Sequence, residues 1–276
     1  MKNSNISVIL PTYNRAHILS AAIESVLCQT FSNFELLIVD DCSLDNTKDL
    51  VSSFSDKRII YLKTPHNSGA AGARNFGISH ACGKYIAFED SDDIWHKDKL
   101  EKQLNEMEKH TDAAFCYHKI CYNMGENKAG DTLSAILPNE AIPLEKKSGD
   151  IFSQLLYDNM VDCPSMLIKR SVLDEIGGFD DNLKALEDYD LALRLAKNHT
   201  AAFVDEVLLD SSFSTTGVSG SPVNYLTASC LILHKFKNDY IKTGTLNHRL
   251  EIILRDSEAI GMKDEFVQLL EKASQP

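Results

Sequence analysis

Phe88-Glu89-Asp90-Ser91-Asp92-Asp93-Ile94-Trp95 closes the apolar run Tyr85-Ile86-Ala87-Phe88 with four carboxylates in five residues. The apolar run reads as the end of a buried strand, so the carboxylates crowd its exit. Such a cluster repels itself unless a cation or hydrogen-bond donors offset it. Hard divalent cations take oxygen ligands, and Mg²⁺ typically combines one or two carboxylates with substrate phosphates. One reading is therefore a metal-diphosphate site at the carboxyl end of a parallel strand. The other is a solvated acidic loop that caps the following helix, because acidic turns are common.

The neighbouring segments bear on the choice. Ile6 to Leu10 is short and apolar, like a parallel strand covered on both faces, and Pro11-Thr12-Tyr13-Asn14-Arg15 ends it. Residues 16–29 carry Ile18, Ala22 and Val26 at helical spacing. Phe34 to Val39 is a second strand with Asp40-Asp41 at its exit; Asp45 is placed to cap the next helix, and Ile59 to Leu62 is a third strand. Residues 67–78 run from a loop into a helix of small residues, and 97–109 form a charged helix with Leu100, Leu104 and Met107 inward. Alternating strands and helices specify an open parallel sheet. Ligands of such sheets lie outside the carboxyl ends of the strands, where the clusters at 11–15, 40–41 and 90–93 converge.

Further on, residues 113–118 read as a strand and 123–149 as a polar excursion with weak local signals. Residues 161–168 read as a strand bent at Pro164, and 171–176 as a short helix stopped by Gly177-Gly178. Residues 187–197 form a helix, 201–204 a strand, and from Tyr225 the chain reads as amphipathic helices, the last from Leu246 to Lys272. The expected division is 1–110 and 111–220 as two halves of one domain, with 221–276 as a helical extension whose removal spares the first half.

The chain has 276 residues, 43% hydrophobic and 25% charged, with a net charge of −12. That balance argues against nucleic-acid binding, which needs a basic footprint, and weakens electrostatic docking on anionic lipid. No apolar run approaches the ~20 residues of a membrane span. Met1 to Asn5 leads straight into a strand, which argues against a secretory signal, and the seven cysteines lack a CxxC pair. A cytoplasmic protein is expected, with peripheral contact at the inner face of a membrane left open, as is the oligomeric state.

Ser7 to Arg15, Ile38 to Ser43, Gly72 to Gly77, Phe88 to Trp95 and Glu187-Asp188, in that order, resemble the inverting family 2 glycosyltransferases. The resemblance spans about residues 5–220. It implies the A-type glycosyltransferase fold, a Rossmann-like mostly parallel sheet flanked by helices. It also implies a hexosyl or N-acetylhexosaminyl donor carried on UDP, and an acceptor hydroxyl on a glycan, lipid carrier or protein, as in bacterial surface-glycan assembly. Tyr13 would stack on the base, with Pro11 and Thr12 giving backbone contacts. Asp41 would take the base imide while Asp40 bonds local amides, and Asn67 belongs to the same loop. Arg74 would face the diphosphate or form a structural ion pair. Asp90-Ser91-Asp92 matches the family's Asp-x-Asp motif, with Asp92 the ligand of Mn²⁺ or Mg²⁺ and Asp90 reaching the ribose and the metal's waters. Asp93 would contact the donor sugar or cap the next helix, and Trp95 would wall the sugar or acceptor or pack in the core.

Asp188 matches the catalytic base. On the 187–197 helix it shares a face with Leu191, Ala192 and Leu195, and the helix dipole there favours an ionised carboxylate. Glu187 ranks below it, directed toward Asp190 and Leu191. The chain departs from the family where a downstream histidine often completes the metal site. Residues 210–219 hold none, which leaves the third metal ligand open. The competing classes are a sugar nucleotidyltransferase, which calls for glycines after the first strand that Pro11 to Arg15 lack, and an inactive sugar-binding module.

Overall fold

The computed structural model describes residues 5–126, 132–138, 142–212 and 221–267. In chain order come β1 (Ile6–Thr12), α1 (Leu19–Leu27), β2 (Phe34–Asp40), α2 (Thr47–Ser53), β3 (Ile59–Lys63), α3 (Gly69–His80), β4 (Tyr85–Phe88), β5 (Asp93–Trp95) and α4 (Lys99–Lys109). There follow β6 (Ala113–Glu126), β7 (Thr132–Leu137), α5 (Phe152–Tyr157), β8 (Leu167–Lys169), α6 (Arg170–Ile176), α7 (Glu187–Asn198), β9 (Thr200–Ser212), α8 (Pro222–Lys235), α9 (Lys237–Thr243) and α10 (Leu246–Ala259).

The strands form one sheet in the order β3-β2-β1-β4-β8-β6-β9-β5, with β7 paired to β6. Strands β1 to β4 are all parallel, which is the expected Rossmann-like half. Beyond it the sheet is mixed: β8 runs antiparallel to β4 and β6, β9 is parallel to β6, and β5 is antiparallel to β9. The sheet therefore passes without a break across residue 110.

Alternation along the strands fills both faces. Ile9, Val39, Ile86 and Phe88 face α3 together with α5, α7 and the helices after residue 221. Val8, Leu10, Ile38 and Ala87 face the opposite layer, with Ile23 and Val26 of α1 and Leu100, Leu104 and Met107 of α4. The small residues of α3 do let it lie close: a Cβ at Gly77 would fall 2.6 Å from Ile9 Cγ2. Thr12 pairs with Asp40, so β1 and β2 end at one level, while β4 ends at Phe88 opposite Ile9, three residues short of them on the same edge.

Several sequence expectations are corrected here. The acidic stretch does not cap α4, which starts only after Asp98; its second half is β5, an edge strand three residues long with no alternation long enough to read. The start of the 123–149 excursion continues β6 and returns as β7, paired antiparallel with it. Pro164 lies in a 3₁₀ turn, Cys163–Ser165, and only Leu167–Lys169 is strand. Asp45 accepts from Thr47 N at 3.1 Å and Oγ1 at 2.5 Å, but the residue at the helix N-cap is Asn46. The last long helix stops at Ala259, before the left-handed Gly261.

The C-terminal helices are not a detachable extension. Leu226, Ile232, Leu233, Phe236, Tyr240 and Ile253 are buried in the same cluster as Leu155 and Tyr189. Lys235 reaches the fully buried Asp190 at 2.7 Å. Burying one such side chain contributes about 1.5–3 kcal/mol, so losing this set is comparable with the whole ~5–15 kcal/mol of a typical domain. A chain cut after residue 220 is expected to lose its cooperative thermal transition. A soluble truncate with a wild-type melting temperature would contradict this packing.

Candidate active site

The loops leaving β1 and β2 are zipped together. Asn14 N donates to Ser43 Oγ at 2.9 Å, Leu44 N to Asn14 Oδ1 at 2.8 Å and Ala16 N to Asp45 Oδ2 at 2.9 Å. Asn14 and Cys42 take left-handed backbone with φ 53° and 68°, strain that the cross-loop bonds hold in place. The zip leaves Tyr13 46% exposed at the strand exit, so it is not a core residue. Pro11 is half-buried and Thr12 buried, with the Thr12 carbonyl accepting from Asp41 N at 2.9 Å.

Asp40 behaves as a turn aspartate, accepting from Ser43 N at 2.7 Å and from the Tyr61 hydroxyl. Asp41 is buried and holds the entry to α3: it accepts from Thr64 Oγ1 at 2.8 Å, Ser68 N at 2.9 Å, Ser68 Oγ at 3.0 Å and Gly69 N at 2.8 Å. A base imide reaching this carboxylate would share an oxygen already taken. Asn67, exposed beside it, donates Nδ2 to the Asp41 carbonyl at 3.1 Å.

Residues 90–93 form a turn closed by Asp93 N donating to Asp90 O at 3.2 Å, with Ser91 half-buried at its tip. Arg74, 5% exposed, donates Nη2 to Asp90 Oδ1 at 2.6 Å and Nη1 to Glu187 Oε1 at 2.8 Å. Of the two readings of Arg74, the ion pair is the one the structure shows. Glu187 accordingly points into the site, not away from it as helical geometry alone implied. Arg15 Nη1 lies 3.5 Å from Asp92 Oδ2. Burial and the charge of Asp90 push the Asp92 carboxyl above its usual range despite that arginine.

Of the two readings of Trp95, core packing is the one the structure shows: it is 3% exposed, packs with Leu100 and Leu209, and carries Lys99 Nζ 3.9 Å over its ring. Asp93 is 3% exposed in β5 and bonds Ser211; burial and Asp90 push it up to about 8. It does not cap α4.

Asp188 stands in the first turn of α7, and the residue at the N-cap is Leu186. The residue is half-buried. Oδ1 accepts from Tyr189 N at 2.7 Å and Oδ2, at 3.4 Å, from Cys163 N. The helix dipole favours the ionised form, but burial, Asp162 and Glu187 push the carboxyl up to about 8 against Arg74 and the Tyr189 N–H. Asp162 was missed. It lies outside every motif, just before a proline turn, and binds the Tyr122 hydroxyl from β6. An aspartate flanked by Val161, Cys163 and Pro164 is the only sequence signal that marks it. Of the stretch examined for a metal-site histidine, residues 213–219 lie outside the described ones, and Asp210 pairs with His96 at 3.0 Å.

The family model described as "Glycosyl transferase family 2" matches residues 7–177. The chain belongs to glycosyl transferase family 2. It is 36% identical over 200 residues to the Escherichia coli UDP-Glc:alpha-D-GlcNAc-diphosphoundecaprenol beta-1,3-glucosyltransferase WfgD, covering 72% of this chain and 73% of that protein. It is 31% identical to the putative teichuronic acid biosynthesis glycosyltransferase TuaG of Bacillus subtilis, over 78% of this chain and 82% of that one. An uncharacterized glycosyltransferase of Rickettsia felis is 37% identical over 75% of this chain, which spans only 33% of that protein's length. Staphylococcus aureus TarS 1-349 in complex with UDP-GlcNAc superposes with a TM-score of 0.73 at 21% identity, covering 97% of this chain and 79% of that one. This family 2 glycosyltransferase therefore has the A-type fold that the sheet order already indicated.

Arg74 offers a test of the site's wiring. Removing one partner of a buried ion pair costs about 3–5 kcal/mol, and Asp90 is partly exposed, so Arg74→Met is expected to destabilise by about 3 kcal/mol. Arg74→Lys cannot span both carboxylates and should fall between it and wild type in urea denaturation. Unchanged midpoints for both variants would make the bridge incidental.

Proposed function

We propose that this family 2 glycosyltransferase moves a sugar from a UDP-sugar to an acceptor hydroxyl with inversion at the anomeric carbon. The observation that carries the reading is the Asp90–Arg74–Glu187 bridge, which ties the acidic turn to the helix bearing Asp188. In this reading the Asp-x-Asp turn and the Asp188 carboxylate serve one bound donor. TarS, of the same fold, is titled as a complex with UDP-GlcNAc, and WfgD is named for a UDP-Glc donor and a diphosphoundecaprenol acceptor. By extension the acceptor here is a lipid-linked surface glycan met at the inner face of the membrane; among the described residues no helix is long and apolar enough to cross one.

In this reading Tyr13 stacks on the uracil, since an aromatic face is a good platform for a base. Pro11 and Thr12 line it with backbone, Asp41 and Asn67 meet its polar edge, and Asp90 reaches the ribose beside Ser91. Asp188 removes the proton from the acceptor hydroxyl, which attacks the anomeric carbon from the face opposite the diphosphate. No covalent sugar–enzyme intermediate forms.

The donor set suits a hard divalent cation. Asp92 and Asp90 are half-buried carboxylates, and Asp92 is held above its usual range by burial and by its neighbour, so its charge is incompletely offset. Among the described residues no group of three His, Cys, Asp or Glu converges, which leaves the remaining positions to diphosphate oxygens and water, as Mg²⁺ prefers. The Pyrobaculum calidifontis mannosyltransferase PcManGT, titled as a complex with GDP-Man and Mn2+, shares the fold at a TM-score of 0.67 and 17% identity. When bound, Mn²⁺ or Mg²⁺ offsets the charge on the departing diphosphate as a Lewis acid.

Turnover of a panel of UDP-sugars with Mn²⁺ and a lipid-linked acceptor tests the whole reading; no release of UDP from any donor would reject it. Asp188→Asn should lower kcat by about 10²–10⁴-fold with little change in donor KM. A carboxyl pushed up to about 8 is protonated below that pH, so kcat should fall as pH drops through this region. For Asp92→Asn, calorimetry should show weaker UDP binding in Mn²⁺ but unchanged binding in EDTA. Equal affinity in Mn²⁺ would remove Asp92 from the metal site.

A further inference from the structure

The turn Asp162–Ser165 faces the proposed base, and no step of the reaction above uses it. It is pinned from three directions. The Tyr122 hydroxyl of β6 donates to Asp162 Oδ2, and Asn159 Nδ2 to Oδ1 at 3.4 Å. Within the turn the Asp162 carbonyl accepts from Ser165 N at 3.0 Å and Oγ at 2.6 Å. From α4, Gln103 Nε2 donates to the Ser165 carbonyl at 2.8 Å. The amide that emerges from this frame is Cys163 N, which donates to Asp188 Oδ2 at 3.4 Å. Such catalytic bonds are often long before substrate arrives.

We propose that Asp162 is a positioning residue for Asp188: anchored by Tyr122, it fixes the turn that presents the Cys163 amide to the base and sets a second carboxylate beside it. The proposal rests on Asp188 being the base. With Tyr189 N holding Oδ1 at 2.7 Å, the Cys163 amide holds Oδ2, so both oxygens are fixed in direction and a remaining lone pair can aim at the acceptor hydroxyl. The neighbouring carboxylate makes Asp188 a stronger proton acceptor, because its negative charge opposes ionisation of Asp188. The other groups facing Asp188 are Glu187 on its own helix, Arg74 from α3, the Cys163 thiol and the Tyr122 hydroxyl. Of these only Arg74 favours the ionised form. Asp162 itself is held above its usual range, first by burial, although Tyr122 opposes this.

Two variants separate the two contributions. Asp162→Asn keeps an acceptor for Tyr122, and so keeps the turn, but removes the charge. The acid limb of its kcat–pH profile should move down by about one unit, with donor KM unchanged. Tyr122→Phe keeps the charge and releases the anchor. Its kcat should fall by up to about tenfold, the scale of one lost hydrogen bond, again at constant donor KM. Asp188→Asn is run alongside. If it is inactive while Asp162→Asn keeps the wild-type pH profile and Tyr122→Phe the wild-type kcat, the positioning role is overturned and the base assignment stands. If Asp188→Asn transfers at the wild-type rate, the base assignment itself is overturned. Should Asp162→Asn fail to fold, Tyr122→Phe decides: a wild-type kcat rejects the proposal and a reduced kcat at constant KM supports it.

Discussion

One guanidinium joins the two halves of this site. Arg74 leaves a helix that packs on the parallel half of the sheet, and binds one carboxylate from the acidic turn and one from α7. At 5% exposure it is shielded from water, so both pairs act where screening is weak. Without it, Asp90 and Glu187 would be like charges facing each other across a cleft. The distance between the acidic turn and α7 is therefore an electrostatic setting as much as a packing one.

That bridge is useful because the parallel strands β1, β2 and β4 all point their carboxyl ends at one edge of the sheet, β4 stopping three residues short of the other two. The parallel register brings Thr12 beside Asp40 and Ile9 beside Phe88. Three polar loops then leave one edge together, which is where open α/β sheets bind ligands. Asp41 stiffens this edge by accepting four donors from Thr64, Ser68 and Gly69, and the zipped loops keep Tyr13 outward. Tyr13 is thereby left free to meet a ligand.

Crowding of carboxyls sets the site's protonation. Asp92, Asp93, Asp162 and Asp188 are all pushed up, each chiefly by burial. Behind them Glu89 is fully buried, and among the described residues neither of its oxygens has a hydrogen-bond partner. Burial and then Asp93 raise it, against the opposing pull of Lys99. Lys99 is pushed down to about 7 by burial and donates to Gln103 Oε1 at 2.8 Å. Burial thus opposes charge on both partners, and the region carries fewer negative charges than its sequence suggests.

The sequence by itself determined the parallel half of the sheet, because short apolar strands and helical spacing are local signals. It also determined which residues line the strand ends, since motif order follows chain order. Tyr13, Asp41, Asp90 and Asp92 were placed beyond strand ends in this way, and Asp188 in the first turn of a helix. Only the tertiary structure decided what these side chains touch. Trp95 and Asp93 became buried because their three-residue strand pairs with the distant β9, Trp95 with Leu209 and Asp93 with Ser211. Glu187 turned inward because Arg74, 113 residues earlier, is there to meet it. Asp162 gained its place beside Asp188 through a hydroxyl on β6. The protonation of Asp188 followed from burial and from neighbours, Asp162 and Arg74 among them, that a helical wheel does not contain. Local propensity acts over a few residues, whereas desolvation and charge pairing depend on which distant segments fold back against a group.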